Sequence, residues 1–171
     1  METFLAIASR RDERRYRPEP LPPATVELLL DAGRLSGSSR NGQPWEFVIP
    51  DGSVRVERLS RAVYVPDNVT SAGLVVAVVV HGPGPVLFDA GRAAQSMLLA
   101  AWANGIASCP NGIADEALAR DVLECGDGEV PVIVLSFGLP DRPRDPDSRS
   151  AGEWSARANR KALREVVRRL A

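Results

Sequence analysis

The segment SGSSRNGQPWEF, residues 36–47, joins a predicted helix to a predicted strand through a run of small polar residues. It supplies many side-chain and backbone groups that can hydrogen-bond, but little apolar mass. Loops of this kind hold polar ligands against a rigid scaffold in many proteins. The same residues are also compatible with an ordinary helix C-cap followed by a turn, so the segment alone leaves both interpretations open.

The sequence on either side of this segment alternates between helical and extended patterns. Upstream, Pro22 and Pro23 precede ATVELLLDAGRLS, whose apolar residues recur at helical spacing. Downstream, WEFVIP alternates like a strand and is followed by an Asp-Gly turn signal. The uninterrupted β-branched run in AGLVVAVVVHG predicts a central strand that is buried on both faces. The longest helical pattern, FDAGRAAQSMLLAAWANG, predicts a core helix that ends at Gly105.

The remaining segments complete a prediction of the α+β class. Residues 3–8 lead into RRDERRY as one predicted helix, and a weaker helix is expected near residues 54–63. IASCPNGI and PVIVLSFG predict strands separated by a short helix in DEALARDVL, and SARANRKALREVVRRLA predicts a last amphipathic helix. Strands and helices do not alternate strictly, so we expect a small mixed, mainly antiparallel sheet flanked by helices, without internal repeats.

Length, composition and charge narrow the class of protein. A chain of 171 residues with 44% hydrophobic content is expected to form one domain over residues 1–171. The net charge of -1 creates no overall field for nucleic acid or an anionic membrane. Cys109, Cys125 and the single His81 support neither a disulfide framework nor a metal site. No apolar window reaches the length of a membrane span or a signal h-region, so a cytoplasmic, soluble protein is expected.

A group of arginines near the start of the chain is a candidate anion site. Arg10 and Arg14 are four residues apart and would share a face of the predicted first helix. Guanidinium groups match phosphate oxygens in a two-pronged geometry, so the pair could clamp one phosphate. The alternative is a solvated helix end whose arginines pair with neighbouring acidic residues such as Asp12.

The order of these motifs resembles the FMN-dependent nitroreductase family. That family opens with Arg-Arg-Ser-x-Arg and continues to Pro-Ser-Ser-x-Asn-x-Gln-Pro-Trp, where this chain has RRDER and GSSRNGQPW. AAQSMLLAAWANGIASCPNGI is similar to the family's long central helix and the following loop, and VLSFGLP to its last core strand. The resemblance covers most of the chain and is weakest at residues 54–69. It implies a three-layer α+β sandwich.

The resemblance also implies residues that hold the phosphate end of FMN. The arginine motif would contact the flavin phosphate, ribityl chain or pyrimidine edge, and a further basic residue near the C-terminus would reach the phosphate. The residues implied are Arg10, Arg11, Arg14 and Arg160. Arg157 and Arg149 are alternatives for the C-terminal position.

Two further groups of cofactor contacts follow from the resemblance. One group belongs to the polar segment and would meet the flavin of the partner subunit in an obligate homodimer. The other belongs to a loop in CPNGI, whose backbone N–H groups at Asn111 and Gly112 would bond flavin N5 or O4 beside the apolar surface of Pro110. An ordinary Asn-Gly turn is the alternative for that loop. The polar-segment residues are Ser38, Ser39, Asn41 and Gln43.

The implied activity is a ping-pong oxidoreductase reaction. NADH or NADPH would reduce FMN, and an electron-poor acceptor such as a nitroaromatic or a quinone would then reoxidise it. This chemistry requires no acid, base or nucleophile from the chain, and His81 is expected to be a strand-end residue. The alternatives are a non-catalytic flavin-binding or storage protein, a dimer that has lost flavin, and a relative that uses a deazaflavin or another reductant.

Several positions depart from the family pattern. Asp12 replaces the serine of the arginine motif and would repel a phosphate unless Arg10 or Arg14 neutralises it. Gly37 replaces a proline. No lysine or arginine precedes the central strand, where Asn68 is the nearest polar residue, so Arg14 would have to supply that positive charge. The segment between residue 45 and the central strand is short, which implies a missing lid and an open flavin face.

Overall fold

The computed structural model describes residues 1–170 and divides them into two compact units. The larger unit is Asp12–Pro143, and the smaller unit joins Met1–Arg11 to the C-terminal stretch from Arg144. The expected single domain over residues 1–171 stays a prediction. In chain order the helices of the described residues are α1 (Thr3–Ser9), α2 (Pro23–Arg34), α3 (Ser53–Ser60), α4 (Asp67–Thr70), α5 (Val86–Ala103), α6 (Glu116–Val122), α7 (Ala151–Ala156) and α8 (Leu163–Val166).

The larger unit contains a four-stranded sheet in the order β1-β2-β4-β3. All seven residues of β2 are buried, which confirms the predicted central strand. Each of the three strand pairs is antiparallel. The sheet was predicted to be mixed and mainly antiparallel, and in the described residues it is entirely antiparallel. The strands are β1 (Trp45–Val48), β2 (Leu74–Val80), β3 (Ala107–Asn111) and β4 (Val130–Gly138).

Helices cover both faces of this sheet and give the expected three layers. Alternate residues of β2 point to opposite faces, and each face has its own apolar cluster. On one face, α2 and α5 pack closely because α2 carries Gly33, where a Cβ would lie 2.7 Å from the Phe47 ring and 2.9 Å from the Met97 sulfur. On the other face, α3, α4 and α6 contribute Leu59, Val69 and Val122 respectively.

The first helix is shorter than predicted. It ends at Ser9, and Arg10 has an extended backbone with ψ 135°. The Arg11 guanidinium donates hydrogen bonds of 2.8 Å to both Ala8 O and Arg10 O, and so it satisfies carbonyls that a continuing helix would have used. In the larger unit the chain from residue 12 to 16 is not helical, and Tyr16 forms a β-bridge. The prediction that Arg10 and Arg14 share a helix face is therefore wrong.

The predicted last helix is divided into two short helices. Ser150 and Glu153 form a capping box that starts α7, which ends at Ala156. Asn159 has φ +49°, a left-handed conformation that asparagine tolerates and that interrupts a helix. The helix α8 then begins, and the Glu165 carboxylate accepts a hydrogen bond of 2.7 Å from Ala162 N at its N-terminus. Within residues 1–170, no helix combines the length and apolar character that crossing a membrane requires.

Candidate functional site

Positive charge is concentrated around Arg11 in the smaller unit. Burial, followed by the charges of Arg160, Arg144 and Arg10, lowers the pKa of Arg11. These like charges disfavour one another, so an anion bound among them would be stabilised. The cluster brings together three arginines predicted from the sequence and adds Arg144, which the sequence analysis missed. The only sequence feature that pointed to Arg144 was its position in the Pro-rich segment DRPRDPDSR.

Trp154 holds one side of this arginine cluster. The guanidinium of Arg11 lies 5.7 Å from the centroid of the Trp154 ring, and that of Arg149 lies 4.9 Å from it. The indole Nε1–H donates a hydrogen bond of 2.7 Å to Pro146 O, which fixes the ring. Arg149 is engaged with the indole, whereas the charge of Arg160 acts on Arg11 more strongly than any other charge does. Arg149 therefore lies against the indole, and Arg160 belongs to the group of positive charges that act on Arg11.

Arg14 lies in the larger unit, in the non-helical segment that precedes Tyr16. A hydrogen bond with the Cys109 side chain is the largest influence on Arg14 and raises its pKa, and the charge of Asp12 acts in the same direction. Arg14 and Asp12 also line a cavity of about 320 Å³ together with Asp141. Arg14 therefore compensates the Asp12 carboxylate that replaces the family serine.

The polar segment forms a 3₁₀ turn, Ser39–Asn41, that the rest of the larger unit holds in place. Ser39 N donates to the Asp89 carboxylate at 2.9 Å, and Gln43 N donates to Ser38 Oγ at 2.8 Å. Left-handed backbone at non-glycine residues is strained and persists only where neighbouring contacts impose it. The side chains of Ser39, Asn41 and Gln43 are exposed. Positive φ angles occur at Arg40 (52°), Asn41 (55°) and Gln43 (46°).

Asp89 supports this turn from the first turn of α5. Its side chain is buried, accepts the Ser39 N–H and lies 3.7 Å from the Arg92 guanidinium. A Cβ at Gly37 would lie 2.3 Å from Arg92, so glycine leaves the space that this guanidinium occupies. That contact gives a physical reason for glycine where the family has proline. The sequence analysis did not identify Asp89, although an acidic residue at the start of an apolar helix could have drawn attention to it.

Removing the Asp89 carboxylate tests its supporting role. We expect Asp89→Ala to lower the free energy of unfolding by about 1.5–3 kcal/mol, because Ser39 N–H and Arg92 lose a buried charged acceptor. Urea unfolding followed by circular dichroism measures the change. Asp127→Ala, at an exposed aspartate, is the matched control and should change stability by less than about 0.5 kcal/mol. Equal stability of the two variants would contradict the support by Asp89.

The strand predicted in IASCPNGI is confirmed as β3, which includes Pro110 and Asn111, so these two residues do not belong to the loop that the resemblance implied. The Asn111 side chain is buried, and its Nδ2 donates to Val134 O at 3.1 Å and to Ser136 Oγ at 3.0 Å. Its Oδ1 accepts a hydrogen bond of 3.0 Å from Asn68 Nδ2. Asn68 is thus directed into the protein and does not replace the missing positive charge before the central strand. Pairing with β4 extends the strand through residues in which the sequence shows a turn signal.

The backbone at this end of β3 offers one outward-facing donor. Residues of an antiparallel ladder direct their backbone groups alternately toward and away from the neighbouring strand. Ser108 O accepts from Glu13 N at 3.0 Å, so Ser108 faces away from β4, Asn111 faces β4, and Gly112 again faces away. Gly112 O accordingly accepts from Tyr64 N at 3.2 Å. Gly112 lies one residue past the end of β3, and its carbonyl faces the segment that contains Tyr64.

Tyr64 lies beside this outward-facing backbone. A Cβ at Gly112 would lie 3.2 Å from the Tyr64 ring, yet 76% of Tyr64 is exposed. The residue falls in the part of the chain where the sequence resemblance was weakest, so no motif marked it. An aromatic ring in this position adds a flat, accessible surface next to the Gly112 N–H.

An open cavity lies between the 3₁₀ turn and residues 81–85, the short link from β2 to α5. It has a volume of about 540 Å³, in the range of small-ligand sites. Arg40 and His81 are exposed polar groups in its lining, with Pro44 and Val86 as apolar neighbours. Among residues 1–170, no group of three or more histidine, cysteine, aspartate or glutamate side chains is placed to hold a metal ion.

Comparison with known proteins places this geometry in a family. A provisionally named NADH dehydrogenase/NAD(P)H nitroreductase from Methanothermobacter thermautotrophicus is 24% identical over 170 residues, which cover 90% of this chain and 88% of that protein. A nitroreductase family protein from Clostridium difficile 630 superposes with a TM-score of 0.80 at 20% identity and 98% coverage of both chains. An FMN-dependent nitroreductase from Clostridium difficile R20291 gives a TM-score of 0.76 at 21% identity, covering 90% of this chain and 96% of that chain.

The family model described as Nitroreductase family matches residues 7–73 and 85–139. The matched ranges include the arginines before Tyr16, the polar segment, α5 and the end of β3. The unmatched residues 74–84 consist of β2 and most of the short link to α5. Because the match extends over most of the chain, this protein belongs to the nitroreductase family, FMN-dependent oxidoreductases that use NADH or NADPH.

Proposed function

We propose that this protein binds FMN and transfers hydride by a ping-pong cycle from NADH or NADPH to an electron-poor acceptor such as a nitroaromatic or a quinone. The observation that carries the proposal is the arginine cluster beside Trp154, in which the Arg11 guanidinium lies 5.7 Å from the centroid of the indole ring. Burial, followed by the charges of Arg160, Arg144 and Arg10, lowers the pKa of Arg11. The bound flavin would accept hydride from one partner and deliver it to the next. NADH and NADPH are cytoplasmic reductants, and we propose that the protein acts in the cytoplasm.

The smaller unit fits the phosphate end of FMN. The charges of Arg10, Arg144 and Arg160 all act on Arg11, and a phosphate dianion would offset their mutual repulsion. Guanidinium groups bind phosphate oxygens through paired, charge-assisted hydrogen bonds. We propose Arg10 and Arg160 as direct ligands, with Arg144 adding positive charge. Arg11 also caps α1, so its side chain has a structural role as well.

The end of β3 and Arg14 fit the ring of the flavin. Gly112 presents an outward N–H that can donate to a ring acceptor, and Pro110 offers a half-buried apolar surface beside it. The Cys109 side chain, one residue before Pro110, is the largest influence on Arg14 and raises its pKa. We propose that Arg14 supplies the positive charge that favours the reduced, negatively charged ring. Asn68 cannot do so because its amide is bonded to Asn111 inside the protein.

Exposed apolar side chains support the proposed homodimer. On α1, Phe4 and Ile7 are 58% and 54% exposed, and toward the C-terminus Leu163 and Leu170 are 77% and 81% exposed. Contiguous exposed apolar groups commonly mark an association surface, and we propose that these side chains contribute to one. A second copy of the chain would cover them and would bring its polar segment, with the exposed side chains of Ser39, Asn41 and Gln43, to the flavin.

The surroundings of Asp12 bear on the alternative of a flavin carrier. That alternative drew on Asp12, whose carboxylate would repel a phosphate. Asp12 instead acts on Arg14, whose positive charge compensates it.

An absorbance experiment tests the proposed function. The purified protein is incubated with FMN, passed through a gel-filtration column that also reports its mass, and then mixed with NADH or NADPH without oxygen. We expect a dimer that retains a flavin band near 450 nm and loses it on addition of the reductant. A retained band that neither nucleotide bleaches would favour a flavin carrier or a deazaflavin-type donor. No retained band would overturn the proposed function.

A further inference from the structure

We infer that a buried chain of hydrogen-bonded side chains, Asn68–Asn111–Ser136–Tyr16, positions the end of β3 for the flavin and thereby tunes the reduction potential of the cofactor. The inference rests on the proposed function, since it concerns how the protein holds the flavin ring. These four residues would not touch the flavin through their side chains. They would act through the Gly112 backbone and through Arg14, and are therefore positioning residues.

The hydrogen-bonded series Asn68–Asn111–Ser136–Tyr16 connects four separate segments of the larger unit. Asn68 on α4 donates to Asn111 Oδ1 at 3.0 Å, and Asn111 Nδ2 on β3 donates to Ser136 Oγ at 3.0 Å. Ser136 on β4 meets the Tyr16 hydroxyl at 2.9 Å, and that hydroxyl also donates to Glu13 O at 2.8 Å. Burial raises the pKa of Tyr16, so the hydroxyl keeps its proton. Hydrogen bonds thus run from α4 through two strands to the segment that carries Arg14.

The side chains around this hydrogen-bonded series are apolar, so burying its polar groups carries a large desolvation cost. Asn68 and Asn111 are 6% and 4% exposed and Ser136 is fully buried, beside a cluster that contains Val69 and Val134. Buried polar groups contribute little net stability even when satisfied, but their directional bonds select one arrangement. Apolar residues could fill the same space without setting the register between β3 and its neighbours. Positioning therefore explains these residues better than stability does.

The chain lies directly behind the two groups that we assign to the flavin ring. Asn111 Nδ2 also donates to Cys109 O at 3.1 Å, and Ser136 Oγ lies 3.2 Å from the same carbonyl oxygen. The Cys109 side chain is also the largest influence on Arg14, whose pKa it raises, and Asn111 directly precedes Gly112. A shift of β3 would therefore move the outward N–H and the positive charge together. Both groups favour the reduced ring, so their displacement should make the flavin harder to reduce.

Two buried serines provide a matched test. Ser136→Ala removes the central hydroxyl of the chain, whereas Ser60→Ala removes an equally buried hydroxyl that donates only to Glu57 O within α3. Two readouts are needed: hydrogen exchange of residues 107–113 in the flavin-free protein, and the FMN reduction potential measured against a reference dye. Tyr16→Phe removes the hydroxyl at the far end of the chain and serves as a second variant if Ser136→Ala folds poorly.

We expect exchange at residues 107–113 to become about tenfold faster in Ser136→Ala and Tyr16→Phe but to remain unchanged in Ser60→Ala. The two network variants should also bind reduced FMN about tenfold more weakly relative to oxidised FMN, which lowers the two-electron potential by about 30 mV. Equal potentials in the Ser136 and Ser60 variants, or unchanged exchange, would overturn the inference alone. A wild-type protein that binds no FMN would instead overturn the proposed function, and the inference with it.

Discussion

Replacing Arg10 or Arg160 with alanine should weaken FMN binding by about 1.5–3 kcal/mol for each residue, because each guanidinium supplies charge-assisted hydrogen bonds to the phosphate. The dissociation constant would rise by roughly 10- to 150-fold for one replacement. The double replacement should lose more than either single one. The charges of both arginines act on Arg11, so removing them should also let its pKa return toward its ordinary value.

Titration of FMN fluorescence measures these affinities. Arg58→Ala is the matched control because it removes one positive charge from an exposed ion pair with Asp121 in the larger unit, which no flavin contact is proposed to use. Increasing salt should narrow the difference between wild type and the Arg10 or Arg160 variants, since charge interactions are screened. If all three single variants bound FMN with the wild-type constant, the phosphate site would have to lie elsewhere in the chain.

Replacing Phe137 with alanine should destabilise the protein by about 3–5 kcal/mol, the usual cost of a deleted aromatic core side chain and the cavity it leaves. Phe137 is the largest of the fully buried side chains among the described residues. It belongs to β4, opposite Leu74 of β2 and Ser108 of β3, and it is part of the apolar cluster that contains Leu29 and Met97. For a chain of this size the midpoint of thermal unfolding should fall by roughly 6–20 °C.

Thermal unfolding followed by circular dichroism checks this expectation. Phe88→Ala is the matched control: it deletes the same ring from the surface of α5, where 68% of Phe88 is exposed and the ring contacts Arg92. Its cost should stay below about 1 kcal/mol. A Phe137 variant that melted together with the Phe88 variant would show that the core repacks around the missing ring.

Elements with a strong local pattern were predicted correctly. The β-branched run of β2 has no polar residue, so only a strand buried on both faces suits it, and the structure places it between β1 and β4. The apolar helix α5 ends where predicted, and Gly105 has φ +71°. In both elements the residues nearest in sequence contain the information, because burial and chain reversal are local consequences of side-chain type.

Elements whose ends depend on distant contacts were predicted less well. The sequence from Arg10 to Tyr16 is compatible with a helix, but Glu13 N bonds to Ser108 O and Tyr16 pairs with Pro140, both more than ninety residues away in sequence. The turn signal in CPNGI yielded to pairing with β4 in the same way. Such contacts replace local helical or turn hydrogen bonds with bonds that no short window of sequence contains.

For the site, the sequence by itself determined the chemical types and the family: arginines for a phosphate, a polar segment before a strand, and a glycine at the end of β3. Tertiary structure alone decided which of those groups are accessible. It directed the Asn111 and Asn68 side chains inward, turned the Gly112 carbonyl toward Tyr64 N, and added Arg144 to the charges that act on Arg11. The physical reason is that side-chain type is a property of one residue, whereas accessibility and electrostatic neighbourhood depend on segments that meet only when the chain folds.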